Sequence, residues 1–143
     1  MYGRRKTDRN PYRSNDVASR SPESLVVLLY ERLLIELRRA HRQIDEGDFE
    51  GKAQSLSRST SILFELMAAL NHEVGGELSG RLSALYSYII REIQEVDRTL
   101  DTDRLDRLVD LVKPLHDAWE QAAQTNAAAA AEARGQAAEA AGG

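Results

Sequence analysis

SPESLVVLLYERLLIELRRAHRQI, residues 21–44, decides the fold. It opens with a helix start signal: Ser21 as N-cap, Pro22 at the first helical position, Glu23 in the first turn. Behind that start, Val26, Tyr30, Leu33, Leu37, Ala40 and Ile44 recur at alternating spacings of four and three. That spacing draws one continuous stripe down a helix. At 1.5 Å per residue the stretch makes a rod of roughly 36 Å, enough to run the length of a small bundle. Val27, Leu28, Leu34 and Ile35 fall off the stripe. A helix apolar on more than one side is either buried all round or covered by something else.

Outward from this helix the same pattern repeats. The turn Asp45-Glu46-Gly47-Asp48 ends it, and Asp48 can cap a second helix. Along the second, Phe49, Ala53, Leu56, Thr60, Leu63, Met67 and Leu70 form the expected stripe, with Ile62, Leu66 and Ala69 off it. After NHEVGG (71–76), a third helix carries Leu78, Leu82, Leu85, Ile89, Ile93, Val96 and Leu100 on one face, flanked by Tyr86 and Ile90. Asp101-Thr102-Asp103 reads as a turn and cap. The fourth helix aligns Leu105, Leu108, Val112, Leu115 and Trp119, and Pro114 inside it predicts a kink or a break. The expectation is an all-α, antiparallel up-down-up-down four-helix bundle over 21–124, with helices at about 21–45, 49–71, 77–100 and 103–124. Residues 1–20 read as a flexible N-terminal arm. Residues 125–143 read as an Ala-rich tail, frayed helix or disordered: alanine favours helix, but no large apolar side chain is there to dock it.

Composition narrows the function. The chain has no cysteine, which excludes disulfide and thiolate chemistry. Charge interrupts every apolar run well short of the ~20 residues a bilayer needs, so no membrane insertion and a cytosolic location are expected. The arm carries Arg4, Arg5, Lys6, Arg9, Arg13 and Arg20 against Asp8 and Asp16, on a chain whose formal net charge is -4. Nothing beyond that charge points to phosphate, and a nucleic-acid partner is not expected. The residues three before His41, His72 and His116 are Arg38, Ala69 and Lys113, so no Glu-x-x-His metal pair exists. Gly75-Gly76 is followed at once by Glu77, which would repel an anion. Ser55, Ser57, Ser59 and Ser61 have no histidine placed as a general base. No metal, cofactor or catalytic pair emerges, and the chain reads as non-enzymatic.

What remains is surface. Val27, Leu28, Leu34, Ile35, Ile62, Leu66, Ile90 and Leu111 are apolar yet rotated away from the stripes. Helices in globular bundles bury about three residues in seven, so some of these widen the core. All eight together exceed what a four-helix core covers. Exposed apolar strips between helices are grooves for an amphipathic segment, and they predict a binding module with a helical or disordered partner. Self-association through the same strips is the alternative.

Val74-Gly75-Gly76-Glu77-Leu78, with Leu82, Leu85-Tyr86 and Tyr88, resembles the third-helix pattern of the FliS family of flagellin export chaperones. Tyr12, Val17, Ser21-Pro22-Glu23, Leu25 and Leu29-Tyr30 resemble the family's opening. Glu46-Gly47-Asp48-Phe49 resembles its first turn, and Ala118-Trp119 its C-terminal tryptophan. The resemblance spans about Tyr12 to Gln124. It implies a cytosolic four-helix bundle that binds the disordered C-terminal segment of flagellin, prevents premature polymerisation and aids delivery to an export-gate protein (FlhA-like). It implies partner contacts by Tyr12, Val17, Leu25 and Tyr86 beside the eight off-stripe residues. Tyr12 and Val17 are expected to occupy a groove until cargo displaces them, and a homodimer of the free protein is a further expectation.

Overall fold

A computed structural model describes residues 21–73 and 75–142, with the side chains of 71–73 and 142 left aside. The arm, including Tyr12 and Val17, and Val74 of the third-helix motif lie outside the described residues. Four helices follow one another: α1 (Pro22–Glu46), α2 (Phe49–Glu73), α3 (Gly76–Thr99) and α4 (Thr102–Gly142). α1 packs against α2 and α4, and α3 closes the square by packing against the same two. Cross-helix contacts fix the directions. His41 meets Asp106 and Glu31 meets His116, so α4 runs antiparallel to α1. Lys52 meets Asp97 and Glu92 meets Arg104, which sets α3 antiparallel to both of its neighbours. The chain is an antiparallel all-α four-helix bundle.

The ends are built as the sequence foretells. Ser21 sits in extended backbone, and its hydroxyl accepts the Ser24 N–H at 3.1 Å. Gly47 closes α1 in the left-handed region (φ 75°), where a β-carbon would be strained. The Asp48 carboxylate then accepts the Gly51 N–H at 2.9 Å and caps α2. Two residues of loop leave the second helix no course but antiparallel.

The core takes its α1 stripe as expected: Val26, Tyr30, Leu33, Leu37 and Ala40 are buried, and Ile44 packs at the edge. α2 differs. It is rotated so that Lys52, Ser55, Ser59, Ile62 and Leu66 join Leu56, Leu63 and Leu70 inside, while Phe49 is 52% exposed and Ala53 faces solvent. The reason is close approach. Ser59 donates to the Ser55 carbonyl at 2.9 Å, and Ser55 hydrogen-bonds the Gln43 side-chain amide at 2.8 Å. Each hydroxyl is satisfied, so these small side chains can sit against α1 at little desolvation cost. Lys52 likewise buries its stem and donates to Asp97 at 2.6 Å.

Tyr86 of α3, expected at the flank of its stripe, lies in the core with its hydroxyl hydrogen-bonded to that of Tyr30 across the bundle. Their rings tilt at 58° with centroids 6.4 Å apart. Burial, then the neighbouring phenol, pushes the Tyr30 hydroxyl up; the Trp119 indole opposes this. Both phenols stay neutral through the physiological range. Tyr86→Phe leaves the Tyr30 O–H without its partner, and urea unfolding is expected to show a loss of about 1–3 kcal/mol. A midpoint unchanged from wild type would mean that this hydroxyl pair contributes nothing.

α4 runs unbroken through Pro114, so the break allowed by the sequence does not occur. Pro114 lies on the exposed face, where water can take the carbonyl that loses its helical partner. The helix continues to Gly142 through the alanine-rich stretch. Among the described residues no helix is long and apolar enough to cross a membrane.

Candidate interaction grooves

Of the twelve candidate contact residues, Tyr12 and Val17 lie outside the described residues, and the other ten separate into distinct environments. Leu25, Ile35 and Leu111 are exposed, at 36%, 51% and 39%. Val27, Leu28 and Ile90 are half-buried. Leu34, Ile62, Leu66 and Tyr86 are buried at 6%, 7%, 1% and 1%, which takes the first three off the expected exposed strips and Tyr86 off the flank of its stripe. Leu34 belongs to a core arc on α1 wider than its stripe. Ile62 and Leu66 come inside with the rotation of α2, and Tyr86 comes in with its partner phenol.

Two surface grooves flank α1. The first, about 350 Å³, runs between α1 and α2 and is lined by Arg32, Ile35, Glu36, Arg58, Ser61, Ile62 and Glu65. Its floor is apolar, with Ile35 open to solvent and Ile62 continuing into the core. Its walls carry both signs of charge: Glu36 accepts a hydrogen bond from Arg39 at 3.0 Å and forms an ion pair with Arg58 at 3.3 Å. The second, about 300 Å³, lies between α1 and α4, lined by Ser24, Val27, Leu28, Glu31, Glu120, Ala123, Gln124 and Ala127. Its far wall alternates the small Ala123 and Ala127 with the polar Glu120 and Gln124. Leu28 and Ile35 are seven residues apart, two turns on the same outward face of α1. They link the two grooves into one discontinuous apolar track. Such a track suits a segment that crosses α1 with apolar residues on either side.

The α1/α4 groove has a polar rim the sequence did not foretell. His116 Nε2 lies 3.0 Å from Glu31 Oε2, and Nδ1 lies 2.9 Å from Asp117 Oδ1. One ligand atom each from Glu31, His116 and Glu120 lies within 4.8 Å of the others. The Glu-x-x-His test misses this group because His116 and Glu120 are four apart on α4 and Glu31 comes from α1. The Glu31 hydrogen bond, with Asp117 and Glu120 adding to it, raises the His116 pKa above its ordinary 6.5. A raised folded-state value means stability that is fully present below the unfolded pKa and is lost as pH rises through the folded one. In chelator-treated buffer, the melting-temperature gap between wild type and His116→Gln is therefore expected to be widest below the ordinary histidine value of 6.5 and to narrow as pH rises above it. A gap that stays constant with pH would contradict it.

The structure also exposes apolar side chains that lie on the predicted α3 stripe or on no stripe at all. Leu78 and Leu100, expected on the α3 stripe, are 54% and 37% exposed because the stripe runs off both ends of the bundle. Phe64 and Tyr88 are 57% and 43% exposed. An aromatic at Phe64, out of phase with every α2 stripe, was the available signal.

Comparison with known proteins places this geometry in context. The sequence model described as FliS, flagellar protein FliS, matches residues 5–126. The flagellar secretion chaperone FliS of Campylobacter jejuni is 32% identical over 112 residues, covering 78% of this chain and 88% of that protein. The flagellar secretion chaperone FliS of Bacillus subtilis is also 32% identical, covering 80% and 84%. A crystal structure of a bacterial flagellar chaperone superposes with a TM-score of 0.69 at 24% identity, over 83% of this chain and 99% of that one, a likeness of fold.

Proposed function

Because the chain belongs to the FliS family of flagellar secretion chaperones, we propose that it acts in the cytoplasm as the export chaperone of flagellin. Its client is the disordered C-terminal segment of newly made flagellin, which folds as it lies along the grooves flanking α1. The observation that carries this reading is the outward face of α1: Leu28 and Ile35, half-buried and exposed, join the two grooves. A segment that pays for its own ordering as it binds holds on less tightly per unit area, which suits cargo that must be released for export. Covering that segment keeps flagellin monomeric until it reaches the export gate. Tyr12 contributes to the gate contact, and Val17 with it covers a groove in the free chaperone.

The test is seeded elongation of flagellin filaments with the untagged full chain added. Suppression complete near one chaperone per flagellin is expected, with flagellin truncated at its C-terminal segment left uncaptured. Elongation at the uninhibited rate in the presence of folded chaperone would overturn the reading. Self-association through the same grooves would instead appear as a concentration-dependent mass in light scattering that flagellin does not reduce.

A further inference from the structure

We infer that Glu31, His116 and Glu120 form a binding site for a divalent transition-metal ion that ties α1 to α4. The donors are two carboxylates and one imidazole, a set suited to zinc and its neighbours, with a coordination position left for water. Three features of geometry carry the inference. The ligand atoms lie within 4.8 Å of one another, so small side-chain rotations bring each to the roughly 2.0–2.2 Å of a metal–ligand bond. His116 and Glu120, one helical turn apart, project side by side, and Glu31 faces them from α1. Asp117 Oδ1, 2.9 Å from Nδ1, takes the proton of the tautomer that turns the Nε2 lone pair toward both glutamates, an orienting carboxylate of the kind found behind metal-bound histidines.

His41 provides the contrast. It too has a carboxylate on each ring nitrogen, Asp106 2.8 Å from Nδ1 and Asp45 3.3 Å from Nε2. What it lacks is a second carboxylate converging with the first on one nitrogen, as Glu120 does with Glu31 beside His116. The inferred ion would neutralise Glu31 and Glu120, both of which line the α1/α4 groove, and would fix the spacing of its walls. The inference stands on these side chains and does not depend on the identity of the client.

The experiment is calorimetric titration of the untagged, EDTA-dialysed full chain with zinc ions, together with thermal melts across the same zinc concentrations. Saturable binding of one ion per chain is expected, with a melting temperature that climbs with free zinc. Glu120→Gln and His116→Gln, each confirmed folded by its metal-free melt, should weaken binding at least about tenfold, since loss of even an outer partner costs about 10–100-fold. His41→Gln should bind as wild type does. Absence of saturable binding, or binding retained in both site variants, or an equal loss in His41→Gln, would overturn the inference.

Discussion

Leu66→Asp is expected to abolish the folded bundle. Leu66 is 1% exposed among Leu63, Leu70 and the α1 core, and the aspartate would arrive with no partner for its charge. An unpaired buried carboxylate costs several kcal/mol, and the transfer and packing lost with the leucine add to it. Domains of this size hold only about 5–15 kcal/mol in all. Far-ultraviolet circular dichroism should therefore show no cooperative melt, while Leu66→Ala should melt cooperatively with a loss of about 2–5 kcal/mol. A Leu66→Asp protein that melts like wild type would place Leu66 on the surface and undo the rotation of α2. A corollary matters for binding work: Leu66 is no probe of a groove.

Ile35→Asp is the converse. Its side chain is 51% exposed, so the charge meets water and stability should change by no more than about 0.5 kcal/mol. Capture of the flagellin segment should fall at least about tenfold, because a carboxylate in the middle of the apolar track stays desolvated when the segment covers it. Folded Ile35→Asp protein that binds as wild type does would move the client to another face, and the exposed Phe64 and Tyr88 would be examined first.

Much of this was legible in the sequence, for identifiable reasons. Ser21-Pro22 and Gly47-Asp48 declare helix ends because their chemistry satisfies or spares orphan backbone groups whatever surrounds them. The α1 stripe was legible because its buried positions are filled by large apolar side chains. α2 misleads because Ser55, Ser59 and Lys52 are buried through partners that no hydropathy pattern records. With those three discounted, the apolar residues alone point about one flank away, which puts Phe49 inside and Leu66 outside. Ile35 was found because exposure on α1 follows simply from the opposite side of a correct stripe. The α1/α4 groove was only half legible. Its α1 wall, Val27 and Leu28, stood out, but Ala123 and Ala127 have side chains too small to signal a wall. The Glu31–His116 contact joins residues far apart in sequence, and only the antiparallel register of α1 and α4 brings them together.

Whether this bundle captures a disordered segment in apolar grooves is tested most directly by calorimetric titration of the folded wild-type chain with the C-terminal segment of its own organism's flagellin, repeated at several temperatures. One segment per chain and a negative heat-capacity change, the mark of apolar surface buried on coupled folding, are expected. A chain that melts cooperatively yet takes up no segment at any temperature would contradict capture.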